Sequence, residues 1–228
     1  MNKELAELLP EGLSLTDDGN GLTLTDGELA LRGDFSPMLR RVRPANLGGE
    51  TLIKAARFRN LPSSEGLTAV DATAGLGEDS FLLAAYGFRV TLFEYNAVIA
   101  ALLEDALKRA LADAALAPIA ERMTLICGDS IEGLKKLEEA PDIVLLDPMF
   151  PGRKKSGLIK KKFQLLQKLE APCGTEEELL QAAISAGPRR IIIKRPEKGP
   201  YLAGIKPSYS VDGSTVRYDC ILPPIKQK

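Results

Sequence analysis

The run Asp147-Pro148-Met149-Phe150-Pro151 directly follows the apolar segment Asp142-Ile143-Val144-Leu145-Leu146. A carboxylate, an exposed proline carbonyl and an aromatic ring at the end of a buried strand suit one task, which is gripping a planar amino group. An exocyclic amine on a nucleobase is planar because its lone pair is delocalised into the ring, so it is a poor nucleophile. Two acceptors aimed at its two N–H bonds, the Asp147 carboxylate and the Pro148 carbonyl, would orient it and favour the positive charge that builds as it attacks an electrophile. Phe150 would stack on the base plane, a contact worth roughly 1–3 kcal/mol. The bland reading of the same residues is an Asp-Pro turn ending a strand, with Phe150 in the core.

The segments that would position this run carry acids of their own. A short apolar strand from Leu67 to Val70 ends in Asp71 and enters the loop Ala72-Thr73-Ala74-Gly75-Leu76-Gly77, which feeds a helix predicted near Ser80 to Tyr86. Glycines at Gly75 and Gly77 let the backbone approach a ligand closely and admit positive φ. A second strand, Arg89 to Phe93, ends in Glu94, 23 residues beyond Asp71, where a carboxylate can accept from both hydroxyls of a ribose. A third, Met123 to Cys127, ends in Gly128-Asp129-Ser130, where an adenine amine would be read. Acids at the carboxyl ends of consecutive parallel strands line one crevice. A nicotinamide dinucleotide fits less well: its fingerprint requires glycine where this chain has Ser80, and it leaves Asp71 and Asp147 without a role. S-adenosylmethionine (SAM) accounts for all four strand ends.

Composition excludes several other chemistries. The 228 residues are 45% hydrophobic, enough for one substantial core with a small appendage. The chain contains no histidine, which removes His-based triads, imidazole bases and imidazole titration near neutral pH. Cys127, Cys173 and Cys220 are spread with no Cys-x-x-Cys pair, so neither a disulfide framework nor a metal site is expected. No run approaches about 18 uninterrupted apolar residues and the start lacks a signal-peptide pattern. The expectation is a cytoplasmic protein without a membrane partner.

Along the chain the predicted elements alternate, which argues for an α/β doubly wound sheet. The clearest helix runs from Asn96 to about Ala115, where Ile99, Leu102, Leu103, Ala106, Leu107, Ala110 and Leu111 keep helical spacing and Asn96 can act as N-cap. A basic helix (about 156–169), a helix from Glu176 to Ala186 and a strand from Arg190 to Lys194 follow. The end reads as a hairpin, Tyr209 to Val211 and Thr215 to Leu222, turning at Asp212-Gly213. A parallel sheet closed by an antiparallel hairpin is the Rossmann-like plan of class I methyltransferases. Residues 1–34 read as a small β appendage of three short strands (Leu13 to Thr16, Leu22 to Thr25, Glu28 to Arg32), and residues 35–228 as the catalytic domain.

The net charge of −1 conceals an uneven distribution. Residues 1–34 carry eight acids and two bases, whereas residues 152–168 carry seven bases and no acid. Beside a proposed amine site, Arg153, Lys154, Lys155, Lys160, Lys161 and Lys162 read as a rim that grips phosphates, with Lys194 and Arg195 at a strand end as a second patch. The alternative is a solvated helix face.

These residues match a known family. The chain resembles the ribosomal RNA small subunit methyltransferase J family over roughly residues 22–222, through Asp71 to Gly77, Asp79, Phe93-Glu94 with Asn96, Ala100 to Leu103, Leu146 to Pro151, Lys155-Ser156 and Lys194-Arg195-Pro196. The resemblance implies SAM-dependent N2-methylation of a guanosine near the 3′ end of small-subunit (16S) rRNA, free or in the small ribosomal subunit. Carried over by position, it implies SAM contacts at Glu78 and Asp79, Glu94 and Tyr95, Asp129 and Ser130, and Asp147. The chain departs from the family's pattern at Glu78 and Tyr95, where arginine is usual, and at Asp129, where serine is common. The expected mechanism is direct transfer to an extruded base, since an amine inside a stacked helix cannot reach the methyl. A SAM-binding RNA assembly factor without catalysis, and an N-methyltransferase acting on adenine or a protein amide, stay open.

Overall fold

The computed structural model describes residues 3–58, 60–61, 63–148, 164–166, 168–169 and 174–223. Its centre is a seven-stranded sheet built from β4 (Thr68–Asp71), β5 (Arg89–Glu94), β6 (Met123–Cys127), β7 (Ile143–Leu146), β8 (Arg190–Pro196), β9 (Tyr209–Asp212) and β10 (Val216–Ile221). The spatial order is β6-β5-β4-β7-β8-β10-β9. The first five of these are mutually parallel, and β10 runs antiparallel to both β8 and β9.

Central strands are apolar on both faces because helices cover both. All four residues of β7 are buried, as parallel strands inside a layered sheet require. Side-chain alternation sorts the sheet into two cores. Ala69, Val90, Leu92, Ile143, Leu145, Ile192 and Cys220 face one side, under α3 (Thr51–Ala56), α4 (Glu78–Ala85) and α5 (Ala97–Ala112). Val70, Phe93, Val144, Leu146, Ile191 and Ile193 face the other, against α7 (Ser130–Lys135) and α8 (Glu176–Ser185). This parity decides which strand-end side chains share a space.

The N-terminal residues form α1 (Lys3–Glu7) and a separate three-stranded antiparallel meander, β1 (Ser14–Asp17), β2 (Leu22–Thr25) and β3 (Ala30–Leu31). Leu15, Leu24 and Leu31 pack on Val98, Ile99 and Leu102 of α5, together with Leu165 and Leu169. Lys168 extends the same contact through an ion pair with Asp26 at 3.0 Å.

Several boundaries differ from the sequence-based expectation for local reasons. Helix α5 stops at Ala112, three residues early, because Asp113 adopts an extended backbone and accepts from the Ala115 N–H at 2.7 Å. The hairpin turn spans Gly213 to Val216, since Asp212 still pairs with Arg217. Strand β8 continues through Pro196, two residues past Lys194, because β10 pairs with it to that point. Short helices α2 (Pro44–Leu47) and α6 (Ala117–Ala120), along with α3 and α7, lack the length for a clear periodic signature. Of the expected basic helix, 164–166 and 168–169 are helical and the remainder lies outside the described residues.

Candidate active site

The carboxyl ends of the parallel strands converge on one edge of the sheet. In spatial order they present Asp129 after β6, Glu94 on β5, Asp71 on β4, Asp147 after β7 and Lys194 on β8. Register sets their depth. Asp71 is level with Leu145, and Leu146 is level with Ile193, so one further step brings Asp147 beside Lys194. Parity gives Asp71, Glu94, Asp147 and Lys194 the same face, the one covered by α4.

The loop after β4 is shaped from two directions. Gly77 caps α4 with φ of +78°, and a Cβ there would sit 2.8 Å from the Leu103 side chain. Its N–H already bonds Ala74 O at 2.8 Å. Its lack of a side chain is therefore demanded by backbone conformation and core packing. Gly75 has φ of +54°, and a Cβ there meets nothing within 4 Å among the described residues. That glycine faces open space where a ligand can approach. The hydroxyl of Thr73 accepts from the Asp147 N–H at 2.6 Å, joining this loop to the end of β7. Sequence reading passed over Thr73, whose only signal is its place between Asp71 and the glycines.

Asp71 is buried at 2% exposure. Its carboxylate accepts from the Ser80 hydroxyl at 2.6 Å and from the Thr73 N–H at 3.1 Å. Burial outweighs these bonds and pushes its carboxyl up to about 7. Glu94 accepts from Gly75 N–H and Asn96 N–H, both at 2.9 Å. Each of its oxygens retains a lone pair for a further donor, and burial raises its carboxyl above the ordinary glutamate value. Asp129 caps α7 by accepting from Ile131 N–H at 2.8 Å. The Ser130 hydroxyl beside it is buried without a hydrogen-bond partner among the described residues. Glu78 opens α4 and Tyr95 is 54% exposed.

Asp79, in the first turn of α4, takes a different direction from the strand-end acids near the glycine loop. Its carboxylate meets Lys194 Nζ at 2.7 Å, and the same ammonium lies 2.9 Å from Asp147. Burial works against the ammonium, but Asp79 and Asp147 outweigh it and hold Lys194 protonated far above the usual lysine range. On Asp147, burial is the largest influence and leaves the carboxyl above the ordinary aspartate value, with Asp79 adding to the rise and Lys194 opposing it.

The two neighbouring cations of the second patch stand in different surroundings. Arg195 was expected at a phosphate, but it is 1% exposed and donates to Pro200 O at 3.0 Å and Glu176 at 3.2 Å, so its guanidinium is out of reach of RNA. Strand alternation turns it to the face opposite Lys194. Lys194 itself answers two carboxylates, which leaves its charge spent inside the site. Phe150, Arg153, Lys154, Lys155, Lys160, Lys161 and Lys162 lie outside the described residues. Among the described residues no group of three His, Cys, Asp or Glu side chains is placed to hold a metal ion, and no helix is long and apolar enough to cross a membrane.

The chemistry of these donors and acceptors fits SAM. Glu94 offers a carboxylate to vicinal hydroxyls, the orphaned Ser130 hydroxyl awaits a polar partner, and open space lies against Gly75 and Gly128. A sheet of this order, closed by an antiparallel hairpin and lined by acids at its parallel strand ends, defines the class I SAM-dependent methyltransferases. Comparison with known proteins gives the same class. Residues 10–223 match the family described as "Putative SAM-dependent methyltransferase". A crystal structure of a SAM-dependent methyltransferase from Neisseria gonorrhoeae superposes with a TM-score of 0.74 at 32% identity, covering 97% of this chain and 92% of that one. The ribosomal RNA small subunit methyltransferase J of Thioalkalivibrio sulfidiphilus is 41% identical over 215 residues, 91% of this chain and 83% of that protein. The protein of the same name from Pseudomonas syringae pv. tomato is 40% identical over 213 residues, covering 91% and 78%. The chain belongs to the ribosomal RNA small subunit methyltransferase J family, and SAM is its cofactor.

Proposed function

We propose that this methyltransferase acts on the exocyclic N2 amine of a guanosine in small-subunit rRNA, with Asp147 and Pro148 as the acceptors that hold the amine. The observation that carries the reading is the Asp147 carboxylate, set on the crevice face beside the glycine loop and kept there by Thr73 and Lys194. When bound, SAM would supply an electrophilic methyl on a sulfonium sulfur: the nitrogen lone pair would form the C–N bond, the C–S bonding pair would stay on sulfur, and the methylated nitrogen would release one proton to solvent. Asp71, Gly75, Glu78, Glu94, Tyr95, Asp129 and Ser130 form the surroundings of the cofactor, Glu94 at the ribose and Asp129 with Ser130 at the adenine. Gly77 acts on the cofactor indirectly, by shaping the loop. Asp147 accepts one amine N–H and Pro148 O the other, which aligns the nitrogen and stabilises charge as it develops.

Phe150 stacks on the extruded base, and Arg153, Lys154, Lys155 and Lys160 to Lys162 grip the neighbouring phosphates. These roles rest on the sequence and on the names of the relatives. Residues 1–34 form an appendage and residues 35–228 the catalytic domain of a cytoplasmic enzyme. The test is mass spectrometry of rRNA nucleosides from cells lacking the protein, paired with methyl transfer by purified protein. Loss of one N2-methylguanosine, restored by the purified protein, is expected. Loss of a methyladenosine instead, or an unchanged nucleoside profile, would reassign the substrate.

A further inference from the structure

We propose that Lys194 is a positioning residue for Asp147: anchored by Asp79 on α4, its ammonium keeps the Asp147 carboxylate ionised and turned toward the substrate amine. The inference rests on the reading of Asp147 as an amine acceptor and assigns the means by which that acceptor is maintained.

The geometry points there from three directions. Alternation along β8 puts Ile192 and Lys194 on the α4 face and Ile191, Ile193 and the buried Arg195 on the other, so the two neighbouring cations have unrelated surroundings. Lys194 Nζ touches Asp79 at 2.7 Å and Asp147 at 2.9 Å, and its side chain is 26% exposed. A lysine offered to RNA would be solvated and free of such a double claim. Asp79, in turn, sits in the first turn of the eight-residue helix α4 and so fixes the far side of the ammonium to a regular element.

The charges facing this cluster come from every neighbouring element. Asp79 belongs to α4, Asp147 follows β7, Asp71 ends β4, Tyr218 on β10 pairs directly with Lys194 across the sheet, and Arg41 acts from the segment before α2. Burial raises the Tyr218 phenol, so it stays neutral. Asp71, Glu94, Asp79 and Asp147 therefore share this face, and among the described residues one ammonium is in direct contact with the last two. Without that ammonium, the negative charge of Asp79 acts on Asp147 unopposed by its nearest cation, and Asp147 takes a proton more readily. A protonated Asp147 loses its negative charge and presents a donor in place of one acceptor, whereas Glu94 on β5 and Ser130 in α7 are untouched.

The experiment begins in the ligand-free protein, with aspartate carboxyl carbons labelled with 13C and the Asp147 resonance identified by its loss in Asp147→Asn. Lys194→Met should raise the Asp147 titration midpoint by about 1–3 pH units, the effect of removing an adjacent opposite charge. Lys194→Arg should restore most of it, and Asp79→Asn should move it down by removing a like charge. In single-turnover methyl transfer, Lys194→Met should lose about 100-fold at neutral pH and recover as the pH rises, with SAM affinity unchanged. If Lys194→Met does not fold, Lys194→Gln carries the same test. An unmoved Asp147 midpoint, or a rate loss independent of pH, overturns the inference. So does a Lys194→Met protein whose defect is confined to RNA binding and its salt dependence, which would return the lysine to phosphate contact. An Asp147→Ala enzyme with near wild-type rate strikes instead at the amine-acceptor reading, and is recognisable because the midpoint shift would persist.

Discussion

Asp147 and Asp71 stand one strand apart, yet protein surroundings give them different work. Asp147 is reached by an ammonium, and on the proposed reading removing it deletes an acceptor together with a negative charge beside a developing cation. Asp147→Ala should lower single-turnover methyl transfer by about 100- to 1000-fold while SAM still binds. Asp71 has no cation in contact among the described residues, and burial places its folded value at about 7, above the ordinary 3.8. Between those values the folded protein binds the extra proton, so stability falls as pH rises from about 4 to about 7, and the cost is fully present above that range. Asp71→Asn keeps acceptors and donors for Thr73 and Ser80 without the charge. Relative to wild type, its urea-unfolding free energy should therefore climb across that window, by at most about 1.4 kcal/mol per pH unit, and level off beyond it. A constant difference from pH 5 to pH 8 would contradict the burial argument. Glu94→Ala should weaken calorimetric binding of both SAM and its demethylated product at least about tenfold, because hydrogen bonds to a charged group are lost.

At the scale of elements, Asn96 joins the cofactor strand, helix α5 and the segment following the amine site. Its Oδ1 accepts from Val98 N–H at 2.9 Å and Ile99 N–H at 3.1 Å, capping α5, while Nδ2 donates to Leu169 O at 2.7 Å. Leu165 and Leu169 are buried against the same helix and the meander. The far end of the basic segment is thus held by the N-terminal strands and α5 together. Asn96→Ala should cost about 0.5–2 kcal/mol as a lost cap. Asn96→Asp keeps the capping oxygen but turns an acceptor toward Leu169 O in place of the donor, so the tether should be lost with the cap retained and RNA affinity should fall. Equal affinity of Asn96→Asp and wild type for rRNA would show that this tether does not serve substrate binding.

Across the whole molecule, charge is segregated. The meander region is acidic, while the basic run begins within a few residues of the amine site, and Lys168 with Asp26 ties one to the other. On the proposed reading the basic run serves the phosphates of the substrate, and the acidic appendage would discourage phosphate from settling on it. Replacing Lys160, Lys161 and Lys162 with Gln should lower the log–log salt slope of rRNA binding by about 0.7–0.9 for each phosphate contact removed and leave SAM affinity intact. An unchanged slope would make those lysines a solvated helix face.

Sequence by itself determined the sheet and its row of strand-end acids. Apolar runs closed by Asp71, Glu94, Asp129 and Asp147 are local patterns, and parallel strands must bring their carboxyl ends to one edge. Asn96 as a cap was legible for the same reason, since capping involves residues adjacent in the chain. What the tertiary structure alone decided are relations between distant segments. Lys194 and Asp79 are 115 residues apart, and only strand parity and helix placement reveal that one lysine of the Lys194-Arg195 pair enters the site while its neighbour is buried on the opposite face. The two glycines of the loop look equivalent in sequence and are separated by what lies against each, open space at Gly75 and Leu103 at Gly77. The absence of histidine removes only imidazole titration, and burial of the Asp71 carboxyl, which pushes it up to about 7, is not written in the residue type. Burial is a property of the packed molecule, and no residue type carries it in advance.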